Sequence, residues 1–246
     1  RRGGKGAKGM DTRSEDFVRH LAVASTHAYL LFFSNHGRVH WLKVHALPQL
    51  GRAAKGKAIV NVLQLAEGEH VQTMLPVRSF EETGEQEYII LCTRKGIVKK
   101  TALSAYANPR RAGIIAIHLG EGDELMAAGR SSGANQVLIA TREGKSILFD
   151  ENDVRPMGRT ATGVRGIALG EGDEVVGMEI IHPGATILTV TQNGYGKRTP
   201  LEDYRVQNRG GQGIINIRTS DRNGKVVGVV QVVEAYPDTG RRVFQT

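Results

Sequence analysis

Residues 88–96 read YIILCTRKG, and the same arrangement recurs as YLLFFSNHG (29–37), VLIATREG (137–144) and TILTVTQNG (186–194). Each is a short apolar, β-prone run that ends on a polar pair and a glycine. A strand entering a tight hairpin has this form, because glycine supplies the positive φ that the turn demands. Asn193-Gly194 fits a type I′ turn. Ten residues beyond each turn glycine stands an apolar residue, namely Leu47, Tyr106, Val154 and Tyr204. A second glycine series, Gly56, Gly113, Gly163 and Gly213, is spaced 57, 50 and 50 residues apart. Each of these glycines opens a further run (KAIVNV, IIAIHL, VRGIAL, IINIRT) expected to be a strand. An acidic turn follows, AEGEH at 66–70 and GEGDE at both 120–124 and 170–174, and then a closing strand such as LMAAG or VVGM. Four strands in about fifty residues is the size of a propeller blade. No stretch sustains a helical apolar period, so the expected fold is all-β and blade-like.

The turn before each second glycine reads GRAAKG (51–56), NPRRAG (108–113), GRTATG (158–163) or NRGGQG (208–213), and every copy contains arginine. In a repeat architecture equivalent turns emerge on one rim. The cations expected there are Arg52, Lys55, Lys57, Arg110, Arg111, Arg159, Arg165 and Arg209. The hairpins add Arg94, Lys95, Lys99, Lys100, Arg142, Lys145, Lys197 and Arg198. Acids concentrate at the other turn, at Glu67, Glu69, Glu121, Asp123, Glu124, Glu171, Asp173 and Glu174.

Composition narrows the class. Among 246 residues there are 33 Lys+Arg against 25 Asp+Glu, a formal net charge of +8, with 31 glycines, one cysteine and 5% aromatics. Arginine outnumbers lysine 22 to 11, which suits bidentate contacts to phosphate. The lone Cys92 excludes a disulfide framework or a cysteine-rich zinc site and is expected to be a buried thiol. No apolar run reaches the roughly 18 residues of a membrane span, so a soluble cytoplasmic protein is expected. A basic rim poor in aromatics suits backbone contact with duplex DNA, since single strands are held by stacking on aromatic rings. No recognition helix is visible, so binding is expected to tolerate sequence.

The chain opens RRGGKG, Arg1 to Gly6, in register with the basic turns, and SEDFVRHLAVAS (14–25) then takes the place of the acidic turn and closing strand. Arg1, Arg2, Gly3, Gly4, Lys5 and Gly6 match the last six positions of the box Gln-Arg-Arg-Gly-Gly-Lys-Gly. With GRVHWLKVHALP, TGVRGIALGEGD and TQNGYGKRT, this motif means that residues 1–235 resemble the C-terminal domain of the DNA gyrase A protein. The resemblance implies a single domain over 1–246, a propeller-like β-pinwheel of six four-stranded blades with strands exchanged between neighbours. About four and a half blades are legible, the chain beginning inside one and the 236–246 tail fitting no fifth complete unit. The family's basic perimeter binds and bends duplex DNA, the box being needed for the positive wrap used in ATP-dependent negative supercoiling. It implies partners in the gyrase A N-terminal domain and the gyrase B subunit, association with the nucleoid, no catalytic site in this domain, and ATP and Mg2+ only in the holoenzyme. Gly3, Gly4 and Gly6 would let the backbone approach phosphates that Arg1, Arg2 and Lys5 neutralise.

Two rivals remain. The equivalent C-terminal domain of topoisomerase IV shares the repeat but generally lacks an intact box. A protein-binding propeller would expose apolar turns and carry Trp-Asp signatures, whereas Trp41 is not followed by Asp. Enzyme signals fail: the GKS at 144–146 has Ile139 where a phosphate-binding loop needs glycine. His36, His40 and His45 lack a completing acid or cysteine for a metal. Tyr106 and Tyr204 fall at the apolar repeat position and are expected in the core.

Overall fold

A computed structural model describes residues 20–51, 54–80, 86–108, 110 and 112–233. The first unit contributes strands β1 (Tyr29–Ser34), β2 (Arg38–Lys43) and β3 (Val71–Val77). The second contributes β4 (Tyr88–Thr93), β5 (Ile97–Ala102), β6 (Ile114–Ile115) and β7 (Leu125–Ser131). The third adds β8 (Gln136–Thr141), β9 (Lys145–Asp150), β10 (Val164–Arg165) and β11 (Val175–Ile181), and the fourth β12 (Ala185–Thr191), β13 (Gly196–Pro200), β14 (Ile214–Ile215) and β15 (Val226–Val233).

These strands form antiparallel sheets in the orders β3-β1-β2-β6, β7-β4-β5-β10, β11-β8-β9-β14 and β15-β12-β13. In each of the first three, the last strand comes from the following unit. This is the strand exchange of a pinwheel. β3, β7, β11 and β15 are mutual neighbours in that order and form the hub, while β6, β10 and β14 lie at the opposite sheet edge, on the perimeter.

The apolar runs of the first three blades lack alternation because both of their faces are covered, as in any sheet packed on two sides, whereas β12 of the fourth buries alternate residues. Ile89 and Leu91 pack toward the first blade with Leu31, Phe33 and Tyr106. Ile90 and Cys92 pack the other way with Val137, Ile139 and Phe149. A third core between the last two blades joins Leu138, Leu148, Ile187 and Tyr204. Cys92 is fully buried, and that burial pushes its thiol pKa up. Tyr106 and Tyr204 are buried as expected.

Three local expectations are corrected. The hairpin turns are not type I′, since among the described residues only glycines have positive φ. Each is instead a type I turn closed by glycine, as in the bond from Gly37 N to the Ser34 carbonyl (3.0 Å), the three-residue loop with a glycine bulge. The runs after the second glycines pair over only two residues, because they touch a neighbouring blade's edge before turning into the acidic loop. KAIVNV forms no strand: Ile59–Asn61 is a 3-10 turn. Among the described residues no preceding sheet offers it an edge.

Candidate nucleic-acid interface

Strand exchange sets the basic turns on the perimeter and fastens each to the preceding blade. The turn glycines make the seat. Gly163 has φ +98°, and a Cβ there would lie 2.6 Å from the Val98 carbonyl oxygen. A Cβ on Gly213 would likewise lie 2.4 Å from the Ser146 carbonyl oxygen. Arg159 and Arg209, four residues before these glycines, make the same contact in consecutive blades. Arg159 Nη1 donates to the Ile115 carbonyl (2.7 Å), and Arg209 Nη1 donates to the Arg165 carbonyl (3.1 Å) while its Nε donates to the Asp153 carbonyl (2.7 Å). Ile115 and Arg165 are equivalent outer-strand residues. Each guanidinium is thus oriented by the backbone of the neighbouring unit, with its remaining N–H groups available on the rim.

Arg165 is exposed on β10 and Arg110 in the turn before β6, and Lys55 and Lys57 are exposed in the first unit's turn. Lys145 is half-buried on β9 next to β14. Arg1, Arg2, Gly3, Gly4, Lys5, Gly6, Arg52 and Arg111 lie outside the described residues, as do 14–19 and the 234–246 tail.

Lys99 and Lys100, expected on the perimeter, are buried, with side chains no more than 2% exposed. Lys99 Nζ donates to the carbonyls of Ala116 (2.5 Å), Gly158 (3.2 Å) and Arg159. All three ammonium protons therefore serve to clamp exchanged segments. Burial, with the Arg159 charge nearby, pulls its pKa down to about 8, so it remains cationic at neutral pH. Lys100 Nζ lies 2.8 Å from Glu151 Oε2 in a fully buried ion pair, with the Tyr88 ring 4.4 Å away. Both lysines hold blades together and neither faces solvent.

The hairpin cations also stand apart from the rim. The acidic turns precede β3, β7 and β11, whose first residues pair with the hairpin end of β1, β4 and β8. Arg94 consequently meets Glu124 (2.6 Å) and Glu174 (3.8 Å), and Arg142 meets Glu174 (2.7 Å). Lys95 Nζ donates to the Glu121 carbonyl (2.5 Å). Arg94 and Arg142 are thus neutralised, and Lys95 is hydrogen-bonded, at one end of the wheel, its hairpin face. Glu69 is buried rather than displayed, accepting from Ser34 Oγ (2.5 Å) and Ala66 N (2.8 Å) beside His40 Nε2 (3.4 Å). These hydrogen bonds and the imidazole outweigh burial, which alone would raise its pKa, and hold it below the ordinary value.

Arg38, Arg155 and Arg205 escape the turn-based reading. Arg38 Nη2 donates to the carbonyls of Ala112 (2.7 Å) and Gly113 (3.1 Å), bracing the second unit's turn. Arg155 and Arg205 are exposed and directly follow the apolar repeat residues Val154 and Tyr204. That shared repeat position is the signal by which both are recoverable.

A strand-exchanged wheel with a repeated basic rim defines the class, a β-pinwheel. Residues 1–25, 28–78, 87–132, 135–182 and 185–232 match the family described as DNA gyrase C-terminal domain, beta-propeller. The chain belongs to that family. It is 48% identical over 232 residues to the DNA gyrase A protein of Salmonella typhimurium and 47% identical over 233 residues to that of Staphylococcus aureus. Each match covers 94% of this chain and 26% of the relative, so the chain spans about a quarter of their length. Among solved structures, the C-terminal domain of a DNA topoisomerase IV superposes with TM-score 0.76 at 30% identity, covering 84% of this chain and 64% of that one. A DNA gyrase A C-terminal domain superposes with TM-score 0.73 at 25% identity, covering 86% and 68%.

Proposed function

We propose that this domain binds duplex DNA along its perimeter and bends it, giving a gyrase A protein the positive wrap needed for ATP-dependent negative supercoiling. The observation that carries this reading is the repeated placement of Arg159 and Arg209, each fixed by the preceding unit's outer-strand carbonyl. Identical fixation in successive blades makes a curved row of cations. Such a row neutralises successive phosphates without reading bases, and sequence preference then comes from how easily the DNA bends. By register Arg2 of the box and Arg52 occupy the same repeat position, which extends the row. The working assembly joins the gyrase A N-terminal domain and the gyrase B subunit on the nucleoid in the cytoplasm. ATP and Mg2+ belong to that holoenzyme, and the domain itself needs no cofactor.

Ligating a nicked circle in the presence of the domain tests the reading. Trapped positive writhe is expected, together with affinity that falls steeply as salt rises. Unchanged linking number rejects chiral wrapping, and a flat salt titration rejects phosphate contact altogether. Replacing Arg1, Arg2 and Lys5 by alanine should remove writhe more than affinity. The structural likeness to a topoisomerase IV domain favours a second reading as that enzyme's C-terminal domain. On that reading the box substitutions would lower both quantities equally.

A further inference from the structure

Consecutive rim segments are joined in two different ways. Between the second and third units, Lys99 Nζ donates to the Ala116 carbonyl (2.5 Å), directly after β6, and to the Gly158 (3.2 Å) and Arg159 carbonyls of the next turn. One buried ammonium thus spans two successive segments. Between the third and fourth units the equivalent acceptor is the Gly166 carbonyl, directly after β10, and it accepts from Gly210 N (2.6 Å). Ile147 stands there at the place of Lys99, three residues after the hairpin glycine, and is fully buried. Other contacts are common to both joints. The guanidinium of Arg159 or Arg209 reaches the Ile115 or Arg165 carbonyl, and His118 N or Ala168 N donates to the Ala161 (3.2 Å) or Gly211 (2.8 Å) carbonyl. Gly210 makes its bond at φ +81°, whereas Thr160, its counterpart, does not adopt positive φ. Where threonine replaces that glycine, a lysine supplies the missing donor.

We propose that Lys99 is a positioning residue for the wrap: its ammonium fixes the step between the rim segments of the second and third units, and with it the path of bound duplex. The inference rests on the DNA-binding reading above. A duplex bent only in the plane of the wheel is a flat arc and has no hand. Writhe therefore depends on how each rim segment is offset from the one before it. Lys99 is fully buried and touches no phosphate. Among the described residues no carboxylate pairs with it, so its acceptors come from the two rim segments themselves. Charge-assisted bonds are stronger than neutral ones, and a buried ammonium with unmet protons is disfavoured. The segments are thereby held at the one separation that serves all three protons.

The test moves one joint onto the other. Lys99→Ile copies Ile147 and leaves the Ala116 carbonyl without its donor, and Thr160→Gly copies Gly210 and frees the turn to offer its own N–H. Nicked circles ligated with Lys99→Ile should trap less writhe per bound domain than with the parent chain. The slope of log affinity against log salt should stay within about 0.9 of the parent value, the weight of one phosphate. Adding Thr160→Gly should restore the writhe. Lys100→Met removes a buried lysine that meets Glu151 rather than a rim segment, so it should lower stability and leave writhe unchanged. Unaltered writhe in folded Lys99→Ile, or an equal loss in Lys100→Met, overturns the proposal. Should Lys99→Ile fail to fold, Gly210→Thr breaks the matching joint with Ile147 still in place. Reduced writhe there supports the proposal and parent-like writhe overturns it. Absence of salt-dependent binding by the parent chain overturns the DNA reading itself.

Discussion

At the scale of single residues, Lys99 and Lys100 show why adjacent lysines in a strand are poor markers of a surface. The run IVKKTA carries two consecutive charges, and in a sheet with one wet face one of them would reach solvent. Here both faces are covered, so each lysine must find partners inside. Glu151 meets Lys100 and also accepts from Ser131 Oγ (2.8 Å) and Asn135 N (2.6 Å). Removing one member of such a buried pair strands the other charge, at a cost of about 3–5 kcal/mol. Lys100→Met should therefore lower unfolding free energy by roughly that amount in urea titrations. Adding Glu151→Gln should recover part of the loss. The DNA salt slope of the folded single variant should not move, because this ammonium is absent from the rim. A loss below about 1 kcal/mol, the range of exposed pairs, would contradict the burial of this pair. Arg94 and Arg142 present the reverse case. Their partners Glu124 and Glu174 lie 30 and 32 residues downstream, and only strand pairing brings them together.

At the scale of elements, hairpins and blade cores were legible, because glycine after an apolar run specifies both a strand and its end. The exchanged strand was legible only as a position. Its two-residue pairing carries little apolar signal, and its sheet partner belongs to another unit. What defines it physically is the glycine before it. Gly163→Ala would put a methyl group 2.6 Å from the Val98 carbonyl oxygen at φ +98°, combining a steric clash with an unfavourable backbone conformation. A residue held in such a region costs of order 1–3 kcal/mol. Gly158→Ala, in the same turn, meets nothing within 4 Å and should be nearly neutral. Thermal unfolding of the two variants measures the difference. Equal melting temperatures would mean that the turn is not seated as described. If it is, Gly163→Ala should also weaken DNA binding, since Arg159 would lose its fixed position.

At the scale of the whole molecule, the wheel depends on how adjacent blades pack at the hub, and one ionisable group sits in that joint. The hub strands VQTMLPV, LMAAGRS, VVGMEII and VVGVVQVV contain only Arg130 and Glu179 as chargeable side chains. Arg130 turns outward to Glu87 (3.2 Å) and the Pro76 carbonyl (3.2 Å). Glu179 remains between the third and fourth blades, where Gln231 Nε2 donates to its Oε2 (3.0 Å) and to the Ile180 carbonyl (2.7 Å). Gln231 Oε1 in turn accepts from His182 N (3.0 Å). Burial pushes the Glu179 carboxyl up to about 7, against an ordinary value of 4.5, with the Gln231 hydrogen bonds offsetting only part of the rise. A group raised in this way stabilises the folded state fully below its unfolded pKa. That contribution is lost as pH rises through the folded value, because the unfolded chain ionises first. Glu179→Gln keeps an acceptor for Gln231 and cannot ionise. The variant should match the parent near pH 4.5, become increasingly the more stable of the two toward about pH 7, and hold a constant advantage above it. Melting temperatures of both proteins measured across this range give the difference directly. Parallel curves would show that Glu179 titrates as an ordinary carboxylate and that the joint between these blades is open to water.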